Sequence, residues 1–373
     1  MSPGKKIPID GGYSSSWWFQ RNKCRLRSFS NSSAMLNSVQ ILRALAAWLV
    51  VGHHYIQLFY SNNVSGVIAE TLHAYGAIGV DLFFIISGFV IYASTSKKPS
   101  TPGAFIQNRL ARIVPAYWLF TSITATVLLY APGSIPLTAF EPLFFFKRLF
   151  FIPAQNPSGI GFYPLMTVGW TLNYEASFYA VFFVSLFLPA KYRVASLFAG
   201  IALLQFISSK FGGSFSFYRN AIVWEFLLGV ALQIAYQREW LSRISPALAA
   251  LATATALLAV VYAGPVSHSP YKSGIPCAII LCAAVSQERF FPKHNFFARL
   301  GDWSYSTYLC HVLVLCLALQ VSARYQVNDF VLIVGVCTLI LAMSYASFSL
   351  VEMPASLLIK KHQMRRIKIT QMT

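Results

Sequence analysis

The chain has 373 residues, of which 56% are hydrophobic and 11% are charged, and its formal net charge is +18. Soluble domains carry about 25% charged residues, so this composition excludes a soluble enzyme, a disordered regulator and a soluble nucleic-acid-binding protein. Long apolar runs can satisfy their backbone in lipid only as helices. The sequence therefore predicts an all-α, polytopic bundle in a membrane.

Ten segments are predicted to span the membrane as helices: 41–60, 76–94, 114–131, 169–188, 194–209, 220–236, 246–264, 273–286, 303–323 and 330–352. With both termini in the cytoplasm, 22 of the 29 Lys and Arg residues fall on the cytoplasmic side and 6 on the other, as the positive-inside rule requires. The basic charge is then explained by topology and attraction to anionic lipid rather than by nucleic acid. The apolar stretch 143–152 is too short to cross about 30 Å of hydrocarbon and is predicted to be interfacial or re-entrant.

Three parts follow one another along the chain. Residues 1–35 are predicted to be a disordered basic cytoplasmic tail, with a misassigned translation start as the alternative because the sequence restarts at Met35. Residues 36–358 form the predicted transmembrane domain, and 359–373 form a second basic cytoplasmic tail. The six cysteines show no CxxC pair and no His-spaced cluster, so we expect neither a disulfide framework nor a metal site.

The first predicted span carries Arg43 and His54. Eleven residues separate them, so on a helix they face the same way, about 16 Å apart along the axis. An ionisable residue at membrane depth indicates a functional site, with Arg43 near the cytoplasmic face and His54 in the outer half. The alternatives are a snorkelling anchor for Arg43 and a structural role for His54. His53 is rotated by about 100° and faces elsewhere.

The second span runs from outside to inside and places Asp81 in the outer half, at a depth similar to that of His54. A carboxylate hydrogen-bonded to an imidazole fixes its tautomer and raises its basicity, as general-base catalysis requires. We therefore predict a catalytic pair of His54 and Asp81. A packing contact between helices is the alternative for Asp81.

Arg109 and Arg112 lie on the cytoplasmic side, just before the third span. Residues three apart project from one face of a helix. Two guanidinium groups at a membrane surface suit a phosphorylated ligand, and contact with lipid phosphates is the alternative.

Two later segments are too polar for lipid contact. WTLNYEASFY, at 170–179, opens the fourth span, and SYSTYLCH, at 304–311, lies on the ninth. Both are predicted to line a cavity, with a purely structural polar network as the alternative. The residues predicted to form the acceptor pocket or to support it are Trp170, Asn173, Glu175, Tyr179, Tyr305 and His311.

Five motifs occur in the order in which they are found in the membrane proteins of acyltransferase family 3, and the chain resembles that family over roughly residues 36–358. The motifs are Arg-X10-His at 43–54, GVDLFFIISGF at 79–89, Arg-X-X-Arg at 109–112, WTLNYEASFY at 170–179 and SYSTYLCH at 304–311. No single motif is decisive, but five in order, with matching topology, are specific. The most similar members look like exopolysaccharide and O-antigen O-acetyltransferases.

The resemblance implies a membrane-bound O-acyltransferase that moves an acyl group, usually acetyl, from cytoplasmic acyl-CoA to a hydroxyl of a cell-envelope sugar. It implies that His54 is catalytic and that Arg109 and Arg112 bind the acyl donor. Arg43, on the same side, completes the predicted acyl-CoA-binding set. Acetyl-CoA is then a substrate, and no bound cofactor is expected.

We therefore predict an O-acetyltransferase of the bacterial cytoplasmic (inner) membrane, with a carbohydrate acceptor, contact with the lipid bilayer and no nucleic-acid partner. Proteins that assemble exopolysaccharide or O-antigen are the predicted protein partners. The alternative function is a proton-coupled transporter or flippase of an envelope glycan precursor, since buried ionisable residues also form proton relays. Against it, the second half of the chain has no inverted copy of the Arg-X10-His motif.

Overall fold

A computed structural model describes residues 36–61, 64–96, 101–292 and 295–372, with side chains up to residue 365. Within these residues the protein is 81% helical and contains no strand, as predicted. The predicted tail at 1–35 lies outside the described residues. The predicted boundary between 358 and 359 falls inside a helix that begins at Met353 and ends at Met372.

The described ranges contain thirteen α-helices, numbered here in chain order: α1 Asn37–Tyr60, α2 Val67–Tyr75, α3 Ile78–Ser96, α4 Pro102–Tyr130, α5 Pro142–Leu149, α6 Trp170–Ser185, α7 Ala190–Lys210, α8 Glu225–Gln237, α9 Pro246–Ala263, α10 Ile275–Ser286, α11 Phe296–Tyr325, α12 Asp329–Ser347 and α13 Met353–Met372. A π-helical turn, Pro270–Gly274, leads into α10, and another, Phe348–Glu352, joins α12 to α13.

Six helical segments in the described part of the chain are long and apolar enough to cross a membrane: α3, α4, α7, α9, α11 and the continuous Asp329–Arg365. The protein is therefore a multi-pass membrane protein. The other four predicted spans coincide with α1, α6, Ala221–Gln237 and Pro270–Ser286, which are shorter or more polar. The total of ten crossings and the cytoplasmic location of both termini stay predictions.

Glycines set the closest contacts between helices. A Cβ at Gly88 of α3 would lie 1.9 Å from the Phe226 carbonyl oxygen of α8, and one at Gly301 of α11 would lie 2.0 Å from the Gln40 oxygen of α1. Only the absence of a side chain permits such approach. These contacts bring α3 against α8 and α1 against α11, which are the two most extensive helix pairs of the bundle.

The start of α1 is anchored by a residue far away in sequence. The Glu288 carboxylate accepts hydrogen bonds from the backbone N–H groups of Asn37, at 2.6 Å, and Ser38, at 3.0 Å. The first N–H groups of a helix have no partner within the helix, and they favour a negative charge. Glu288 thus caps α1 and ties it to the segment after α10.

The stretch predicted to be interfacial or re-entrant contains α5, which has eight residues and is therefore about 12 Å long, too short to cross a bilayer. Its Arg148 side chain turns inward and is fully buried. Arg148 Nη1 donates to the Ile152 carbonyl oxygen at 3.1 Å, and Tyr117 Oη donates to the Arg148 carbonyl oxygen at 2.9 Å. The segment is thus fastened to α4.

Candidate active site

A cavity lies between α1, α3, α4, α6 and α11. On α3 its lining runs from Val80 to Ile91, and on α6 from Thr171 to Tyr179. At a rise of 1.5 Å per residue these stretches are about 16 and 12 Å long, so the cavity extends along the helices. Six predicted site residues line it: Arg43, Arg109, Arg112, Glu175, Tyr179 and Tyr305.

One end of the cavity is cationic. Arg109 and Arg112 project from α4, and Arg43 from α1. Arg43 Nη1 donates to Gln40 Oε1 at 3.3 Å, and the Gln40 amide in turn donates to Asp302. Among the described residues, neither Arg109 nor Arg112 has a carboxylate oxygen within 4 Å. The three arginines predicted to bind the donor thus lie at one cavity, and two of them keep their charge available for an anionic ligand.

The middle of the cavity carries a fixed carboxylate. Glu175 Oε1 accepts from Ser87 Oγ at 3.0 Å and from Tyr179 Oη at 2.5 Å, and Tyr179 also contacts Arg109. Tyr305 Oη donates to the Ile113 carbonyl oxygen at 2.8 Å. Glu175, Tyr179 and Tyr305 were predicted to belong to an acceptor pocket, but the structure places all three in the same cavity as the arginines.

Beyond the other end of the cavity lie two histidines in contact. His311 Nε2 lies 3.2 Å from His54 Nδ1, and the rings are 5.1 Å apart. His311 is fully buried, and its Nδ1 faces the Tyr308 carbonyl oxygen at 2.8 Å. The Tyr308 ring lies 5.8 Å from that of His311 and lines the cavity, so the histidine pair lies next to this end of the cavity.

Backbone carbonyls decide which nitrogen of each ring carries the proton. A carbonyl oxygen only accepts, so His311 Nδ1 donates to Tyr308, and His311 Nε2 is an acceptor in the neutral ring. His54 Nδ1 lies 3.0 Å from the Val50 carbonyl oxygen, so it too carries a proton, which it shares with His311 Nε2. The lone pair of His54 is therefore on Nε2, where a base can use it.

The predicted pairing of His54 with Asp81 is wrong. Asp81 is fully buried, and its Oδ2 accepts from His268 Nδ1 at 2.8 Å, while its Oδ1 accepts from the Ser273 hydroxyl. The depth of Asp81 was inferred from its position along α3, but its direction depends on the neighbours of α3. Asp81 faces the π-helical turn before α10, whereas the packing of α1 on α11 turns His54 to His311.

Trp170 and Asn173 do not line the cavity. The Trp170 ring lies 5.5 Å from that of His268. Asn173 is 1% exposed, and its amide, oriented to satisfy both atoms, donates to the Phe151 carbonyl oxygen at 2.9 Å and accepts from Arg148 Nη2 at 2.8 Å. Asn173 thus holds the segment after α5 in place.

Comparison with known proteins supports the family that the motifs resemble. The acyltransferase family 3 profile, described as "Acyltransferase domain", matches residues 36–348. The chain belongs to acyltransferase family 3. No solved structure matches it.

Three relatives of this acyltransferase illustrate the range of the family. The exopolysaccharide production protein ExoZ of Rhizobium meliloti (strain 1021) is 33% identical over 253 residues, which cover 64% of this chain and 77% of ExoZ. The acyltransferase MdmB of Streptomyces mycarofaciens is 26% identical over 312 residues, which cover 75% of this chain and 79% of MdmB. The putative membrane-bound transacylase BcsY of Komagataeibacter xylinus is 27% identical, with coverages of 83% and 80%.

Four further residues of this acyltransferase received no site role from the sequence. Tyr308 follows Tyr305 by three residues and shares its helix face, which could have identified it. Arg148 interrupts the apolar stretch 143–152, and a charge in such a stretch is a signal that could have identified it. Glu225 lies on a predicted span and is fully buried beside Asp81. His268 lies in a loop, where no periodicity indicates its direction. No group of three metal-ligating side chains occurs in the part of the chain described.

Proposed function

We propose that this acyltransferase transfers an acetyl group from cytoplasmic acetyl-CoA to a hydroxyl of a cell-envelope or exported carbohydrate. The observation that carries the proposal is one elongated cavity with a cluster of arginines at one end and, beyond Tyr308 at the other, a histidine whose Nε2 is a free base. A long donor with an anionic head and a reactive thioester tail matches this polarity.

Arg109 and Arg112 bind the phosphates of the donor, because a guanidinium presents a planar fork of donors to phosphate oxygens. Arg43, fixed by Gln40, adds a third positive charge. The pantetheine arm lies along the cavity past Glu175, whose second carboxylate oxygen accepts from an amide N–H of the arm. The thioester then lies beside Tyr308, at the end of the cavity next to the histidine pair.

His54 acts as the general base. Its Nε2 takes the proton of the acceptor hydroxyl as the hydroxyl oxygen attacks the thioester carbonyl. The new C–O bond forms, the C–S bond breaks, and the proton passes from His54 to the CoA thiolate. His311 touches neither substrate; it is a positioning residue, which accepts from His54 Nδ1 and so presents Nε2 to the reacting groups.

The arginine end faces the cytoplasm of a bacterial inner membrane, where acetyl-CoA is available. The histidine end then receives an acceptor from the outer side. The printed name of ExoZ refers to exopolysaccharide production, which supports a carbohydrate acceptor for this chain, and assembly proteins of such polymers are the proposed partners.

The test is acetyl transfer by the purified protein in lipid nanodiscs, with radiolabelled acetyl-CoA and carbohydrate extracted from a strain that lacks the gene. Replacing Arg109 and Arg112 singly with Ala removes a charge-assisted contact of about 1.5–3 kcal/mol, so the KM for acetyl-CoA rises about 10- to 160-fold. Lys at either position restores only part of this.

His54→Ala lowers kcat by about 10²- to 10⁴-fold and leaves acetyl-CoA binding unchanged. His53→Ala is the matched control, because His53 Nδ1 bonds to backbone oxygens of α2 at 3.0 and 3.3 Å instead of facing His311. If the double Arg109 and Arg112 variant titrates acetyl-CoA like the wild type, the donor site lies elsewhere.

A further inference from the structure

A second oriented imidazole lies at the histidine end of the bundle. His268, in the loop between α9 and α10, bonds through Nδ1 to Asp81 Oδ2 at 2.8 Å. Asp81 is fully buried, and its other oxygen is occupied by Ser273. A carboxylate only accepts, so His268 Nδ1 carries the proton, and the lone pair of its neutral ring is on Nε2.

His268 is accessible, unlike its partner. Its side chain is 22% exposed, against 0% for Asp81. The backbone of His268 is left-handed, with φ 53°, which is uncommon outside glycine and indicates a loop held by tertiary contacts. One such contact is the hydrogen bond from Val266 N to the Ala74 carbonyl oxygen, at 2.9 Å.

One aromatic neighbour relates His268 to the proposed reaction centre. Its ring lies 5.5 Å from that of Trp170, which directly precedes the cavity-lining Thr171 and Leu172. Small-molecule sites combine aromatic side chains with a few placed polar groups, and Trp170 and His268 supply one of each.

We infer that His268 and Trp170 form the acceptor-binding subsite, in which His268 Nε2 accepts a hydrogen bond from a sugar hydroxyl and the Trp170 indole packs against the apolar C–H face of the sugar ring. The inference rests on the proposed function and deepens it by naming the residues that bind the carbohydrate. Asp81 acts through His268: it fixes the tautomer that leaves Nε2 an acceptor, which is a different role from the one predicted for it.

Two substitutions of His268 separate these roles. The amide of Asn reaches the position of Nδ1, so His268→Asn keeps a donor for Asp81 but removes the group at Nε2. The longer Gln reaches the position of Nε2, so His268→Gln keeps a polar group facing the sugar. Asn also tolerates the left-handed backbone. His73→Ala is the control, since His73 is an exposed imidazole of the nearby α2.

The experiment measures acetyl transfer in nanodiscs at saturating radiolabelled acetyl-CoA, with graded amounts of carbohydrate extracted from the gene-deletion strain, and acetyl-CoA binding in parallel. We expect His268→Asn to raise the half-saturating carbohydrate concentration about tenfold, with a Kd for acetyl-CoA within twofold of the wild type. For His268→Gln the half-saturating carbohydrate concentration lies between those of His268→Asn and the wild type. For His73→Ala it equals that of the wild type.

If His268→Asn uses carbohydrate as well as the wild type does, the inference is overturned and the proposed function stands. The inference is also overturned if His268→Asn loses acetyl-CoA binding as well, because that would indicate a structural role. If His268→Asn does not purify as a folded protein, Trp170→Ala decides: the inference requires weaker use of carbohydrate with unchanged acetyl-CoA binding. A wild-type protein that transfers no acetyl group refutes the proposed function itself, which distinguishes the two failures.

Discussion

The histidine pair makes a quantitative prediction about His311. Replacing His311 with Leu exchanges one buried side chain for an apolar one and removes the acceptor that faces His54 Nδ1 at 3.2 Å. His54 keeps its second partner, the Val50 carbonyl oxygen at 3.0 Å. The base is therefore retained, but one of the two contacts that orient it is lost.

The size of the effect follows from the kind of bond. A hydrogen bond between neutral groups contributes about 0.5–1.5 kcal/mol, so His311→Leu lowers kcat about 2- to 13-fold. Loss of the base in His54→Ala costs about 10²- to 10⁴-fold. Because His311 acts through His54, the double variant is no slower than His54→Ala alone.

The assay compares kcat of the four proteins in nanodiscs at saturating acetyl-CoA and carbohydrate. Acetyl-CoA binding serves as the measure of intact folding, because the arginine end lies about 16 Å from the histidines along α1. A loss of 10²-fold or more for His311→Leu would refute the assigned role. So would a double variant slower than His54→Ala, since His311 would then act on a substrate directly.

Three further predictions concern packing, capping and orientation. Gly88→Ala places a Cβ 1.9 Å from the Phe226 carbonyl oxygen and destabilises the bundle by about 1–3 kcal/mol, which is measured as a lower Tm. Gly103→Ala is the control and leaves Tm unchanged, because there is open space around Gly103. Glu288→Ala removes the cap of α1 and costs about 0.5–2 kcal/mol, whereas the exposed Glu70→Ala costs little. Cysteine in place of Glu70 reacts with an impermeant thiol reagent from outside the cell, and cysteine in place of Gly103 reacts only after the membrane is opened; the reverse pattern contradicts the proposed orientation.

The sequence by itself determined the helical class, the membrane setting and the family. Low charge and long apolar runs leave no other fold for the backbone. Spacing within one helix also determined local geometry: Arg109 and Arg112 share a face of α4, and Tyr179 reaches Glu175 one turn away, at 2.5 Å. Such relations follow from the period of the helix alone.

Only the tertiary structure decided which helices face one another. The position of Asp81 along α3 indicated its depth, but its direction depends on how α3 packs against α8, through glycines whose partners lie far away in sequence. In the same way, the packing of α1 against α11 places His54 beside His311. A loop without periodicity brings His268 to Asp81. Rise per residue determines depth in a helical sequence, whereas rotation toward a neighbouring helix is decided by close contact between side chains of distant segments.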